Sequence, residues 1–156
     1  MRRNTKRVFL LLTLAAVLFL SGESVLAQTF SGNMCFDMRI TEDEDGPVNK
    51  AITAKMHAVA LDQIQSTVSG VVQVPNDGLF VTTGMAIVQG KLIFINLTGT
   101  QTHLTEPWRD SAIMQIRLIA TTMKGTFWTI GHDFNTADGI FDSTYASGTI
   151  AKVACK

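Results

Sequence analysis

The fold is decided by the stretch IQSTVSGVVQV, residues 64–74. Apolar and polar side chains alternate along it, and a period of two is typical of a β-strand with one buried face and one wet face. One face takes Ile64, Val68, Val72 and Val74, and the other takes Gln65, Thr67, Ser69 and Gln73. The same alternation recurs through residues 28–156 without a sustained helical period, so we predict an all-β chain.

Turn residues interrupt the β pattern on both sides of this stretch at fairly regular intervals. Glycine supplies a positive φ at low cost, and Asp or Asn tolerates it. The strongest turn signals are Glu44-Asp45-Gly46-Pro47, Asn76-Asp77-Gly78, Gln89-Gly90, Lys124-Gly125 and Ala137-Asp138-Gly139. With weaker breaks at Asp62-Gln63 and over residues 100–110, they delimit about eight strands, at 33–41, 51–61, 64–74, 79–88, 91–99, 111–121, 126–134 and 140–154. Consecutive hairpins of this kind predict an up-and-down meander.

The two cysteines, Cys35 and Cys155, lie near the two ends of the β-patterned region. If an even number of up-and-down strands closes into a barrel, the first and last strands become antiparallel neighbours, and both cysteines reach one rim. We therefore predict a Cys35–Cys155 disulfide in a single antiparallel β-barrel, with a buried free pair or an intermolecular bridge as alternatives. A sandwich disulfide would join strands in mid-chain. Simple alternation puts Cys35 outside and Cys155 on the face of Tyr145, which is predicted to point inward. A bulge near a rim would reconcile the two positions, but no residue in the sequence indicates one.

Residues 1–27 have the pattern of a secretory signal peptide. Basic residues come first, at Arg2, Arg3, Lys6 and Arg7, and an apolar stretch follows from Val8 to Leu20. This stretch is shorter than the roughly 20 residues that a helix needs to span a bilayer, which favours cleavage after Ala27 over a retained anchor. We expect one exported domain at residues 28–156, in the bacterial periplasm or outside the cell, where cysteines oxidise.

Charge and composition narrow the partners of this domain. Residues 28–156 contain nine Lys and Arg and twelve Asp and Glu, a net charge near −3. Phosphate binding needs clustered cationic charge, so no nucleic-acid partner is expected. A small outer-membrane barrel needs an unbroken apolar outer face and aromatic girdles. The last strand has polar residues on both faces, and the chain has one Tyr and two Trp, so we predict that the barrel is not membrane-embedded.

In architecture, the predicted barrel resembles the calycins, the group of exported ligand-binding barrels that includes lipocalins and avidins. The resemblance rests on the export signal, the eight-strand meander and its closure through Cys35 and Cys155, and it does not extend to sequence motifs. Lipocalins usually carry a GxW near the first strand, where this chain has Ser31-Gly32-Asn33. The resemblance implies an interior that is filled by side chains or holds one small ligand.

Alternation in the late strands predicts an aromatic group inside the barrel. If Thr129 and Asp133 face water, the neighbouring residues face inward, and the last strand adds Tyr145. The predicted inward set of that strand is Trp128, Ile130, His132 and Phe134. His132 would then be an interior imidazole, either a core residue satisfied by a hydroxyl or carbonyl group or a contact for a ligand.

Methionines and small residues complete the predicted interior. Met38, Met56 and Met114 would give it adaptable apolar walls. The predicted inner face of the second strand carries Ala54, Ala58 and Ala60, and Gly70 interrupts the third. Small side chains leave volume, which favours a cavity over a solid core.

Motifs for catalysis, metal binding or cofactor binding are not evident. The acidic run Glu42-Asp43-Glu44-Asp45-Gly46 fails the EF-hand spacing and is interpreted as a hairpin tip. The three histidines, His57, His103 and His132, lack the HxH and HExxH spacings of zinc sites. We therefore predict no catalytic residue, no metal ligand and no cofactor.

Three hypotheses for function follow. The first is a non-enzymatic exported barrel that binds a small, largely apolar ligand through Trp128, His132, Tyr145, Met56, Met114 and Met38. The second is an interaction or structural module of the cell envelope that acts through its outer face or through His103, Trp108 and Arg109. The third is an isomerase or cyclase that works in the barrel mouth through His132. Ligand identity and oligomeric state stay open.

Overall fold

The structure, a computed structural model, describes residues 30–75, 78–102 and 108–156. Antiparallel strands follow one another along these ranges. They are β1 (Gly32–Asp43), β2 (Gly46–Ala60), β3 (Gln65–Val74), β4 (Gly78–Gln89), β5 (Leu92–Thr102), β6 (Trp108–Ile119), β7 (Lys124–Asn135) and β8 (Phe141–Val153). The prediction of an all-β chain with eight strands is confirmed, although β2 begins already at Gly46.

Each strand pairs with its neighbours in sequence, and β1 also pairs with β8, so the sheet is a closed barrel. Met38 shows the closure directly, because it pairs with Ile52 of β2 on one side and with Ile150 of β8 on the other. Closure leaves none of the eight described strands with a free edge, which removes the usual route to edge-to-edge aggregation. The predicted up-and-down barrel is therefore confirmed.

A disulfide joins Cys35 to Cys155, with 5.1 Å between the two Cα atoms and 120 residues between them in sequence. Val153 pairs with Cys35, so the odd-numbered residues of β8 lie on the outer face together with Cys35. The predicted disulfide is confirmed, but the inward face assigned to Cys155 is wrong, and no bulge is needed to form the bond.

A bulge does exist, at the opposite end of β1. The register of β1 shifts between Ile40 and Glu42 against both β2 and β8. Ile40 is buried, and beyond the shift Asp43 pairs with the inward Ala146. The bulge therefore turns Asp43 towards the interior of the barrel, where simple alternation would have turned it outward.

The two ends of the barrel differ. We call the end that holds the disulfide and the turns at residues 61–64, 90–91 and 120–123 the disulfide end, and the end where β1 meets β2 the mouth end. The half of the barrel nearer the disulfide end is filled by buried side chains. They include Phe30, Met34, Phe36, Ala54, Met56, Ala58, Val68, Ala86, Ile93, Ile95, Ile116 and Leu118. Ser66 Oγ donates a hydrogen bond of 2.6 Å to the Phe30 carbonyl inside this half.

Two local predictions were wrong. Ile64 lies in the turn before β3 and is 52% exposed, because Asp62 accepts hydrogen bonds from the backbone nitrogens of Ile64 and Gln65. Lys124 and Gly125 begin β7, and the turn precedes them at residues 120–123, where Met123 takes a positive φ of 52°. Gly125 instead allows close strand approach, since a Cβ there would meet the carbonyl oxygen of Arg117.

Candidate functional site

A cavity of about 490 Å³ occupies the half of the barrel nearer the mouth end. Its floor is apolar and rests on the packed half. The floor is formed by Ile40, Ile52, Val72, Leu97, Met114 and Phe127. A volume of this size lies within the roughly 300–1,000 Å³ of typical small-molecule sites.

Small residues in the late strands leave this volume empty. Gly99, Ala112, Gly131 and Ala146 all line the cavity. Three of them lie side by side across the sheet, because Ala112 pairs with Gly99 on β5 and with Gly131 on β7. A Cβ at Gly131 would lie 2.7 Å from Thr144 Oγ1, and one at Gly99 would lie 2.9 Å from Thr82 Cγ2. The side chains of Thr144 and Thr82 therefore occupy the space directly beside the two glycines, and a larger residue at either position would displace them.

The alanines of β2, from which the sequence analysis predicted a cavity, do not produce this one. Ala54 and Ala58 are 1% and 2% exposed and lie in the packed half, where Ala54 pairs with Phe36. Ala60 is exposed at the end of β2. Large residues on the facing strands fill the space beside these alanines. The barrel does contain a cavity, but the cavity does not lie beside the alanines from which it was predicted.

Three threonines line the cavity above its floor: Thr82, Thr129 and Thr144. Thr129 Oγ1 donates a hydrogen bond of 3.0 Å to the Ile113 carbonyl. Thr82 is 5% exposed, and its Oγ1 atom finds no hydrogen-bond partner among the residues that the structure describes. A buried hydroxyl without a partner is unfavourable, so Thr82 Oγ1 lowers the stability of the ligand-free barrel.

Charged side chains surround the upper part of the cavity. Among the described residues of the lining, the carboxylates are Asp43, Glu44, Asp110 and Asp133, and the ammonium is Lys50. Asp110 and Asp133 are direct partners on β6 and β7, so they face the interior together. Glu44 Oε2 accepts a hydrogen bond of 3.3 Å from the Tyr145 nitrogen, which links the β1–β2 turn to β8. The described part of the lining therefore has a formal charge of −3.

The three predicted methionines lie inside the barrel. Met38 and Met56 are each 3% exposed and belong to the core, whereas Met114 is 8% exposed and lines the cavity. Of these three residues, Met114 is the one placed to contact a molecule in the cavity.

The predicted inward orientation of Trp128, His132 and Tyr145 is wrong. Trp128 is 42% exposed and its Nε1 donates to Gln115 Oε1 on the outer wall. His132 stacks on Phe141 with ring centroids 5.4 Å apart, and its Nδ1 lies 3.0 Å from Ser143 Oγ. Tyr145 reaches the edge of the cavity, but its side chain is 46% exposed.

The error came from the assumption that polar residues of β7 face bulk water. Phe127 is 3% exposed and lies on the same face as Thr129, Gly131 and Asp133. That face is the inner one, and it can carry polar residues because the mouth half of the barrel holds a polar, charged cavity instead of an apolar core. The sequence did contain one sign of the correct face. Gly125 and Gly131 lie on the same face as Phe127, and a glycine within a strand often marks a place where two backbones approach closely.

The loop residues of the second hypothesis are only partly described. His103 lies outside the described residues, and for Trp108 only the backbone is described, at the start of β6. Arg109 is exposed and pairs with Phe134 on the outer wall. Among the described residues, no group of three or more His, Cys, Asp or Glu side chains is arranged to hold a metal ion. The same part of the chain contains no helix long and apolar enough to cross a membrane.

The fold and the cavity define the class of the protein as a closed eight-stranded antiparallel barrel with an internal cavity. No family model matches the sequence, and no curated protein matches it. A solved structure of EF1p2_mFAP2b bound to DFHBI is similar, with a TM-score of 0.48 and 19% identity. The match covers 80% of this chain and 94% of that one. At this level of identity, the function has to be argued from the cavity itself.

Proposed function

We propose that residues 28–156 form an exported, non-enzymatic barrel that binds a small molecule with a largely apolar body. The observation that carries the proposal is the cavity of about 490 Å³, with an apolar floor and a polar upper wall. Apolar walls with a few placed polar groups are typical of small-molecule sites.

Export is supported by the signal pattern in residues 1–27 and by the disulfide between Cys35 and Cys155. Disulfides persist in oxidising compartments, which include the bacterial periplasm and the extracellular space. The outer wall carries charged side chains at Asp37, Arg39 and Lys55, which are costly in contact with lipid tails. These residues support a barrel that is not membrane-embedded.

A binding role is favoured over catalysis by the position of His132. The third hypothesis needs an imidazole in the barrel mouth, but this ring stacks on Phe141 at the outer surface. A general base must come within hydrogen-bonding reach of the proton that it removes from a substrate. The observed orientation takes away the residue on which the enzyme hypothesis depended.

The test of this proposal blocks the cavity with a larger side chain. Ala112→Phe places a large ring among Gly99 and Gly131, whereas Ser111→Phe places the same ring on the outer face of the same strand. The mature protein, purified from an exporting host, is examined by native mass spectrometry and by titration with apolar probes. We expect wild type and Ser111→Phe to bind and Ala112→Phe to lose binding. Equal binding by all three folded proteins would contradict an interior site.

A second function is favoured by an apolar patch on the outer wall of β6, β7 and β8. Its members are Ile113, Trp128, Ile130, Phe134, Phe141 and Tyr145, each at least 36% exposed. Ile130 lies at its centre, because it pairs with Ile113 and with Tyr145. Exposed apolar patches often mark protein interaction sites, which supports the cell-envelope interaction module. Under this alternative, Ile130→Glu abolishes capture of an envelope protein in pull-downs and Ala112→Phe does not.

A further inference from the structure

The apolar patch on the outer wall of β6, β7 and β8 has the composition of an interface core. Its four rings, each at least 42% exposed, are those of Trp128, Phe134, Phe141 and Tyr145. Ile130 and His132 separate the rings on β7, and Ser143 separates those on β8. No carboxylate, ammonium or guanidinium group therefore lies between the rings on these two described strands. Cores of protein interfaces are likewise enriched in aromatic residues and depleted of charged ones.

Contacts within the chain already hold the rings of the patch in place. Trp128 Nε1 donates a hydrogen bond of 3.1 Å to Gln115 Oε1 on β6. Phe141 stacks on His132 with ring centroids 5.4 Å apart, and His132 Nδ1 lies 3.0 Å from Ser143 Oγ. A surface that is ordered in advance loses less side-chain entropy on association. The patch therefore presents fixed apolar surface to a partner.

The area of the patch matches the core of a dimer interface of ordinary size. An aromatic side chain buries about 150–250 Å² in full, so four rings at 42–62% exposure offer roughly 400 Å². Ile113 and Ile130 add to this area. A standard interface buries about 800 Å² on each partner, with an apolar core and a polar rim. The exposed side chains of Arg109 and Arg117 on β6 can supply part of that rim.

The absence of charge from the centre of the patch suits a second copy of this chain. In a two-fold symmetric interface, each residue near the axis faces the same residue of the other copy, so a charge there would meet its like. Strand register places Ile130 at the centre, between Ile113 and Tyr145. The nine basic and twelve acidic residues of 28–156 give each copy a net negative charge. Two copies therefore meet with the least repulsion at an uncharged surface.

A second apolar stripe, on β4, is narrower and lacks aromatic residues. Its members, each at least 40% exposed, are Leu79, Val81, Met85 and Ile87. Met85, in the middle of the stripe, pairs with Thr67 on β3 and Asn96 on β5, so polar residues border it on both sides. This stripe provides a control surface for the patch.

We propose that two copies of the mature chain associate through the apolar patch as a symmetric dimer, with the two-fold axis next to Ile130. The Ile130 side chains of the two copies pack against each other, and the rings around them exclude water from the contact. This inference does not rest on the proposed ligand-binding function, because the patch and the cavity lie on opposite faces of the same strands. It gives the patch a second copy as its occupant in place of an envelope protein.

The test measures the mass of the mature, disulfide-bonded protein in solution by sedimentation velocity. Concentrations run from below about 1 µM to above about 100 µM, because interfaces of standard size have micromolar or tighter Kd values. We expect wild type to be dimeric at the upper end of this range. Ile130→Glu should associate at least about thirtyfold more weakly, as expected for a central interface residue. Val81→Glu makes the same change on the β4 stripe and should stay within about twofold of wild type.

A charge swap tests the symmetry of the contact. Ile130→Lys should associate as weakly as Ile130→Glu, because like charges meet at the axis in each variant. An equimolar mixture of the two variants should associate at least about tenfold more strongly than either alone, because opposite charges then meet. Thermal unfolding of each variant confirms that it is folded.

Four results would overturn the inference. A wild type that is monomeric at the highest concentration excludes the dimer, and flotation of that monomer with phosphatidylglycerol vesicles, lost in Ile130→Glu, would assign the patch to a lipid surface. Capture of an envelope protein by monomeric wild type, also lost in Ile130→Glu, would assign the patch to that protein. A dimer that survives Ile130→Glu and is lost in Val81→Glu uses the β4 stripe. A mixture of the two Ile130 variants that stays monomeric shows that the Ile130 side chains do not meet at a two-fold axis.

Discussion

Thr82 and Thr129 both lie on the inner wall of the barrel, but their hydroxyl groups differ in hydrogen bonding. The Thr129 hydroxyl donates to the Ile113 carbonyl, whereas Thr82 Oγ1 has no partner among the described residues. An unpaired buried hydroxyl costs about 1–3 kcal/mol, and a satisfied one contributes about 1 kcal/mol. The two residues therefore carry opposite contributions to the stability of the ligand-free protein.

Replacement of each threonine by valine tests this difference. Thr82→Val should raise the free energy of unfolding of the ligand-free protein by about 1 kcal/mol, because it removes a buried polar group. Thr129→Val should lower it by about 1 kcal/mol, because it breaks a hydrogen bond. Urea denaturation of both variants measures the two changes. A loss for Thr82→Val as large as that for Thr129→Val would contradict the assignment.

At the scale of single strands, closure depends on glycine in β8. A Cβ at Gly148 would meet the carbonyl oxygen of Arg39 on β1 and would lie 3.0 Å from Ile40 Cα. This contact involves backbone atoms, which cannot move without opening the β1–β8 pairing. Gly148 therefore permits the approach that joins the first strand to the last.

Gly148→Ala should lower the free energy of unfolding by roughly 2–4 kcal/mol, since the added methyl group forces the two strands apart. Thr149→Ala is the control, because Thr149 is exposed on the outer face of the same strand and should change stability by less than about 0.5 kcal/mol. Chemical denaturation measures both. Equal stability of Gly148→Ala and wild type would show that the strands tolerate the methyl group.

The strands themselves were largely predictable, and the faces of β7 and β8 were not. Period-two alternation and turn residues located the eight strands, because both are local properties. Which face points inward depends on the neighbouring strands. Phe127 is inward because it pairs with the buried Ile116 and with Gly148, and that register also turns Asp133 inward and Trp128 outward. Local alternation contains no such information. The sequence analysis therefore placed aromatic residues in the site wrongly and did not identify the carboxylates that line it.

The whole barrel is closed twice, by the β1–β8 hydrogen-bonded ladder and by the disulfide. The ladder runs from the pair Cys35–Val153 to the pair Asp43–Ala146. The bond between Cys35 and Cys155 spans 120 residues of chain, and its main effect is to restrict the unfolded state. The ladder fixes the geometry, and the disulfide adds stability to it.

Removal of the disulfide should therefore weaken the barrel without changing its architecture. The double variant Cys35→Ser with Cys155→Ser should lose up to ~4–5 kcal/mol of unfolding free energy, the chain-entropy value for a loop of this length. Denaturation of the double variant and of reduced wild type should give similar midpoints, and far-UV circular dichroism below the transition should be unchanged. Stability equal to that of the oxidised wild type would contradict this role.

The central claim is that a small molecule binds inside the mouth half of the barrel. Methionine methyl NMR reports on this site, because Met114 lines the cavity whereas Met85 is 42% exposed on the outer wall. Titration with adamantanol, a compact apolar probe, should shift the Met114 methyl signal saturably and leave the Met85 signal in place, and Ala112→Phe should abolish the shift. A saturable shift at Met85 with Met114 unmoved would place the ligand on the outer surface and contradict the claim.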